Sequence, residues 1–389
     1  MYGVIYLIYF ILLYPFFHSY LLYPFFLYLF SFRRGKSKPE VRISDYPELT
    51  IICAAFNEEK VIAQKIHSTF LSDYPKEKLR LLIGTDACTD HTVQIITELA
   101  KQYPGLQCIE FSDRTGKIGV LNALYRQAKS EILVMTDANV FFNPQTLTEL
   151  LPPFDDKLVN MVCGKISKRP LDTLSVTQTE LKYMNFENFL KQAESTLWEL
   201  VFGAEGGCYA IRSSSFREIP VHFIADDFFL TCEVLKTGGK IIYASKAQAF
   251  EDLSGTVRSE FMRKVRIGTG NFQNLFRFKA LMVSRRRGLA FAFVSHKVFR
   301  WITPLLYSIG LVGAFLLGIW GYANPFLFWG MVAPCFIPFL NFIIEKLGWK
   351  NKFLGAVNHL FWMNIALIFG FMNYLRGVKS SVWSRTERQ

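Results

Sequence analysis

No lysine, arginine, aspartate or glutamate occurs in residues 1–32, 301–344 or 353–375 of this 389-residue chain. A helix needs about 20 mainly apolar residues to cross the hydrocarbon core of a bilayer, so these charge-free stretches exclude a uniformly soluble protein. Each is long enough for one crossing, and the middle one for two. Paired cysteine spacing is also missing. Cys53, Cys88, Cys108, Cys163, Cys208, Cys232 and Cys335 never lie two to four residues apart. That argues against a structural zinc site and suits a reducing compartment. Internal repeats, low-complexity tracts and nucleic-acid-binding motifs are absent as well.

A cleaved signal peptide fits the first stretch poorly, because its positive charge follows the apolar run where a signal would carry it in front. Residues 1–32 are therefore expected to be a retained anchor, kinked at Pro15 and Pro24. The formal charge of +12 collects beside the apolar segments, at Arg33, Arg34, Lys36 and Lys38 and again at Arg285, Arg286 and Arg287. Cytoplasmic loops are rich in Lys and Arg, and anionic headgroups attract such clusters. Membrane lipids thus account for the charge without nucleic acid, and the chain between the clusters is expected in the cytoplasm. Two crossings between 301 and 344, turning near Tyr322 and Pro325, would return the chain inside at 345–352. The tail 376–389 carries Arg376, Lys379, Arg385 and Arg388 against Glu387, a cytoplasmic composition. Residues 353–375 are therefore expected to enter the membrane and return, or to lie along its surface.

Residues 46–280 read as an α/β domain. Strands are expected at 49–55, 79–84, 107–111 and 131–136, and helices at 59–70, 93–102 and 117–129. On the first helix Val61, Ile62, Lys65 and Ile66 share a spacing. Repeated β–α units of this length indicate a mainly parallel sheet flanked by helices. Ligands of such sheets bind beyond the carboxyl ends of the strands. The polar turns Asn57 and Glu58, Asp86 to Asp90, and Asp137 to Asn139 all fall at such ends, which predicts one crevice. The second half is less regular: a long helix over 174–200, a strand reaching Ile211 after Gly206 and Gly207, and a helix opened by Asp226 and Asp227.

The motifs in order are Ala54-Ala55-Phe56-Asn57-Glu58-Glu59, Thr85-Asp86-Ala87-Cys88-Thr89-Asp90, Gly116-Lys117 with Leu121-Asn122-Ala123, Thr136-Asp137-Ala138-Asn139, and Asp226-Asp227. Together they resemble the family-two glycosyltransferases of the GT-A fold, in the membrane-integrated branch that includes cellulose, hyaluronan and poly-N-acetylglucosamine synthases. The resemblance covers nearly the whole chain. It implies an inverting, metal-dependent transfer from a nucleotide-diphosphate sugar, UDP-linked by family habit, to a polysaccharide or lipid-linked acceptor.

The resemblance also implies roles. Asn57, Glu58, Asp86 and Lys117 correspond to positions that hold base, ribose and diphosphate. Lys117 follows Gly116 near a helix start, where backbone N–H groups favour anions. Asp137 is the carboxylate best placed for Mg²⁺ or Mn²⁺, which take oxygen ligands. Asn139 stands where the family usually has a second aspartate, and its amide oxygen is a weaker, uncharged ligand. Asp227 matches the general base that takes the acceptor proton, with Asp226 orienting it or serving as base itself. The lesser alternative is that the pair only caps the helix it opens. Gly206 and Gly207 match an acceptor-side loop, or a plain tight turn. Asp90 reads as a cap of the second loop.

One motif departs. Processive synthases carry Gln-x-x-Arg-Trp, and the run here is Arg263-Lys264-Val265-Arg266-Ile267. Arg263 and Arg266 suit a diphosphate or a headgroup, but Ile267 offers no flat face to a sugar, so polymerisation is less expected than transfer. Residues 289–300, with His296, Lys297, Arg300 and Trp301 at or beside them, resemble an interfacial segment of this branch. Three rivals are a glycolipid-forming enzyme resembling ceramide glucosyltransferase, a non-catalytic membrane scaffold, and a nucleotidyltransferase. A scaffold has no use for the carboxylates, and a nucleotidyltransferase usually carries a Gly-rich basic loop where Asn57, Glu58 and Glu59 stand.

Overall fold

The computed structural model describes residues 2–33, 45–169, 175–252, 257–319, 324–349 and 351–378. Arg34, Lys36, Lys38, Tyr322 and the tail from Lys379 onward lie outside the described residues. The chain divides into two compact units. One is built from residues 30–171, 184–255 and 377–389, and the other from residues 1–29, 172–183 and 256–376.

The first unit holds one eight-stranded sheet. Its strands are β1 (Leu49–Ala55), β2 (Leu79–Asp86), β3 (Leu106–Phe111), β4 (Ile132–Asp137), β5 (Val140–Phe142), β6 (Val159–Arg169), β7 (Tyr209–Arg212) and β8 (Lys240–Asp252). Every residue of β1 is buried, as befits a central strand covered on both faces. Its spatial neighbours β2 and β4 run parallel to it, with Ala54 level with Gly84 and Asp137. The carboxyl ends of these strands therefore share one edge of the sheet.

The order β3-β2-β1-β4-β7-β6-β8-β5 makes the sheet mixed. β7 is antiparallel to β4 and β6, β5 is antiparallel to β8, and β6 and β8 are parallel. β5, β6 and β8 are the strands that the sequence reading did not place. Helices Ile62–Phe70, Thr92–Gln102, Gly116–Gln127 and Asp226–Lys236 flank the sheet, and one continuous core joins Ile51, Ile83, Val134, Val162 and Ala210.

The second unit is helical. Four described stretches are long and apolar enough to cross a membrane: Gly3–Ser31, Arg287–Ile319, Pro325–Lys346 and Phe353–Leu375. Tyr9 on the first donates to the Gly310 carbonyl at 3.0 Å on the second, which satisfies a polar group that lipid would leave bare. Residues 289–300 run within the second stretch through a π-helical turn, Phe293–Val298. The helix Lys352–Leu375 is unbroken, which corrects the expectation of a re-entrant turn at 353–375. Its polar Asn364 is absorbed without a break, donating to the Leu360 carbonyl at 2.7 Å. The alternative expected from sequence, a helix lying along the membrane surface, requires no such turn.

The helix Val257–Arg277 belongs to this unit and not with the sheet. Its apolar face packs along Lys352–Leu375 through Phe261 on Trp362, Phe272 on Phe371 and a stacked Phe276–Tyr374 pair. Gly370 permits the approach, since a Cβ there would lie 2.8 Å from the Gly268 backbone.

Candidate active site

The turns after β1 and β2 are clasped together by side chains. Asn57 takes a left-handed φ of 53°, which asparagine tolerates better than most residues. Its amide uses both ends on the second loop, accepting from Thr89 N at 2.9 Å and donating to Thr89 Oγ1 at 3.1 Å. Asp90 accepts from Thr92 N at 3.0 Å and from Glu59 N at 3.3 Å, so it caps the next helix and binds the first loop at once. Glu58 N donates to Thr92 Oγ1 at 2.8 Å.

Asp86, the last residue of β2, is fully buried and satisfied by the loop that follows β3. It accepts from Arg114 Nε at 3.0 Å, Thr115 N at 2.5 Å and Gly116 N at 3.1 Å. The start of the helix Gly116–Gln127, read from sequence as an anion-favouring backbone, thus already holds a carboxylate. Arg114 also lies over the Phe56 ring at 3.4 Å, a contact the sequence reading missed although Arg114 stands just ahead of the Gly116-Lys117 motif.

From that helix Lys117 reaches into a set of aspartates. Its Nζ is 2.9 Å from Asp137 Oδ1 and 3.2 Å from Asp226 Oδ1. Burial opposes the charge on Lys117, but Asp137, Asp226 and Asp227 outweigh it and raise its pKa above the ordinary lysine value. Asp227 accepts from Gly206 N at 2.9 Å through Oδ2 and from its own helix, Phe228 N, at 2.7 Å through Oδ1. Burial first, and then the neighbouring Asp226 charge, push the Asp227 carboxyl up to about 7, with Lys117 pulling the other way. A carboxylate so tuned can exchange a proton near neutral pH.

Gly206 marks the middle of this cluster. A Cβ built on it would lie 3.4 Å from Asp227 Oδ2, 3.6 Å from Asp137 Oδ2 and 3.7 Å from Lys117 Nζ. These are ordinary contacts, so the missing side chain leaves space among the charged atoms and is not forced by packing. Gly207 differs. Its Cβ would meet Val140 Cγ2 at 2.5 Å and Ile166 Cδ1 at 2.9 Å, so Gly207 is glycine because the core closes on it. Gly207→Ala should lower stability by about 1–3 kcal/mol through overpacking, read as a fall in the unfolding midpoint, while Gly206→Ala should leave it near wild type.

Beneath the Asp137 turn lies a buried cation that sequence placed on an apolar face without a role. Lys65 donates to Thr136 Oγ1 and to the Val140 carbonyl, both at 2.7 Å, and sits 3.6 Å over the Phe142 ring. Burial pulls its pKa down to about 8. Thr136 passes the link on by donating to the Gly207 carbonyl at 2.8 Å. One lysine on the face of an otherwise apolar helix thereby fixes the Asp137 turn to the glycine loop. Arg263 and Arg266 are carried by Val257–Arg277 in the helical unit, where Arg263 forms a two-point pair with Glu260 at 2.8 and 2.9 Å.

Among the described residues no group of three or more His, Cys, Asp or Glu side chains is arranged to hold a metal ion by itself. What is present fits a cation completed by a ligand. Asp137 offers a carboxylate whose Oδ2 faces the Gly206 space, and Asn139 uses its amide nitrogen on Glu251, 3.0 Å away, which leaves its oxygen for coordination. Magnesium is commonly held by one or two such groups plus substrate phosphates and water.

Residues 50–220 match the family model of Glycosyl transferase family 2. A probable glycosyltransferase, YdaM of Bacillus subtilis, is 23% identical over 282 residues, covering 70% of this chain and 66% of that protein. The beta-monoglucosyldiacylglycerol synthase of Synechocystis is 32% identical over 111 residues, 28% of this chain and 23% of the synthase. The chain thus spans about two thirds of the first relative and under a quarter of the second. Among solved structures, the mannosyltransferase PcManGT of Pyrobaculum calidifontis, in complex with GDP-Man and Mn²⁺, superposes with a TM-score of 0.67 at 21% identity, over 96% of this chain and 98% of that one. Residues 50–220 therefore form a glycosyl transferase family 2 domain, and the sheet that they begin has the GT-A fold.

Proposed function

We propose that the protein is a membrane-embedded, inverting glycosyltransferase, moving a sugar from a nucleoside diphosphate sugar to the hydroxyl of a lipid-linked or polysaccharide acceptor at the cytoplasmic membrane face. The observation that carries this reading is the space at Gly206, bordered by one carboxylate tuned near neutrality, a second carboxylate and a lysine. Asp227 takes the acceptor hydroxyl proton as the oxygen bonds to the anomeric carbon. The bond from that carbon to the diphosphate breaks, and the proton stays on Asp227. With one base and no protein nucleophile, the anomeric configuration inverts. Lys117 faces the diphosphate while holding Asp137 and Asp226 in place. When bound at Asp137 and Asn139, Mg²⁺ or Mn²⁺ supplies positive charge to the leaving diphosphate.

Asn57 and Glu58 shape the side where base and ribose lie, and Asp86 acts there by fixing Arg114 and the start of the Lys117 helix. Arg263 and Arg266 provide cationic charge for the diphosphate or for lipid headgroups. Ile267 and the similarity to a glucosyldiacylglycerol synthase favour a lipid acceptor and single transfer over polymerisation.

The test incubates membranes containing the protein with labelled UDP- and GDP-sugars and separates lipid, oligosaccharide and polymer products. A glycosylated lipid with release of the nucleoside diphosphate is expected. If no sugar in the panel is transferred to any fraction, the enzymatic reading fails and the scaffold stands. In the same assay Gly206→Ala should lose at least tenfold in transfer while unfolding like wild type, because its methyl fills the space between Asp227 and Asp137. Full activity in that variant would remove Gly206 from the acceptor path.

A further inference from the structure

Asn139 occupies the place where the family resemblance expects a second aspartate, yet its amide is held in one orientation. Its Nδ2 donates to Glu251 Oε1 at 3.0 Å, between residues 112 positions apart. An ionised carboxylate only accepts hydrogen bonds, so Glu251 takes the amide nitrogen and turns Asn139 Oδ1 the other way. Glu251 does not lie on a loose loop. It is the β8 residue paired with Val140 in the antiparallel β5–β8 ladder, one position beyond Asn139. The backbone register of the sheet edge therefore brings this carboxylate to Asn139.

We infer that Glu251 is a positioning residue of the cation site, holding Asn139 Oδ1 as the ligand beside Asp137 and contributing the negative charge that Asn139 lacks. The inference rests on the proposed role of Asp137 in binding the cation. It explains the departure from Asp-x-Asp by charge balance. An aspartate at 139 would set two carboxylates within hydrogen-bonding distance of each other, and like charges so placed repel. An asparagine there converts the repulsion into a hydrogen bond and leaves the Asn139–Glu251 pair with a single negative charge. Carboxylates that orient a metal ligand from behind change metal affinity by about 10–100-fold when removed.

The test measures Mn²⁺ affinity of the full-length protein by electron paramagnetic resonance of the free ion, with UDP and in parallel GDP present. Asp137→Ala should abolish the high-affinity binding, and Glu251→Ala should weaken it by about 10–100-fold while thermal unfolding stays near wild type. Asn139→Asp alone should bind more weakly than wild type, and Asn139→Asp with Glu251→Gln should recover at least tenfold over that single variant. If the wild-type protein holds no Mn²⁺, or Asp137→Ala leaves binding unchanged, the cation reading itself fails. If Asp137→Ala loses binding but Glu251→Ala stays within twofold of wild type, or Asn139→Asp binds as tightly alone as with Glu251→Gln, Glu251 has no part in the site.

Discussion

Asp227→Asn should abolish sugar transfer while leaving nucleoside diphosphate binding close to wild type. Loss of a general base typically costs about 10²–10⁴-fold in rate. The amide keeps the shape of the carboxylate but cannot accept the hydroxyl proton. One of the two backbone N–H groups that Asp227 serves, at Gly206 and Phe228, loses its acceptor in the variant. The cost is about 0.5–1.5 kcal/mol for one hydrogen bond, partly offset by relief from the Asp226 charge. Folding should therefore survive, and the lost rate would belong to chemistry. The wild-type rate should carry the matching signature. A base with a pKa of about 7 is active when deprotonated, so the rate should fall tenfold per pH unit below that value and level off above it. Activity within a few-fold of wild type in Asp227→Asn would reject Asp227 as the base.

How far such residues can be read from sequence depends on how locally they are determined. β1 was legible to the residue, because seven successive buried apolar or small residues admit few other elements in an α/β pattern. The helix opened by Asp226 and the turn at Asp137 were legible because a polar motif interrupts an apolar strand or begins a helix. β5, β6 and β8 were not. Val140–Phe142 is only three residues long and pairs with a strand more than 100 residues away, so neither length nor local period announces it.

The same distinction separates the parts of the site. Which side chains are polar at a strand end is written locally, but whom they bond is not. Asp86 looks available in sequence and is enclosed by Arg114, Thr115 and Gly116. Lys65 looks like an odd member of an apolar face and proves to be the strut under the Asp137 turn. Gly206 and Gly207 look alike, and only the packing around each shows that one borders the charged cluster while the other is closed in by Val140 and Ile166. Glu251 carries no local signal at all, since its meaning comes from the register of an edge strand.

Lys117→Gln and Asp226→Asn should move the acid limb of the pH–rate profile in opposite directions. Lys117 lies against both Asp137 and Asp226 and lowers the pKa of Asp227, whereas the Asp226 charge raises it. Removing the lysine charge leaves three carboxylates facing one another, so Asp227 holds its proton to higher pH and the limb moves above 7. Removing the Asp226 charge leaves Lys117 paired with Asp137, so Asp227 ionises more readily and the limb moves below 7. Breaking a buried ion pair from one side costs about 3–5 kcal/mol. Lys117 retains 21% side-chain exposure, so the lower end applies, read as a fall in the unfolding midpoint of Lys117→Gln. Donor affinity should also fall in Lys117→Gln, which loses its direct attraction for the diphosphate, and change less in Asp226→Asn. If both variants shift the limb the same way, or neither shifts it, the group that titrates is not Asp227 within this cluster. Measuring kcat/KM against pH for the two variants beside wild type separates these outcomes, because a purely structural role for Lys117 and Asp226 would lower the plateau of the profile without moving its inflection.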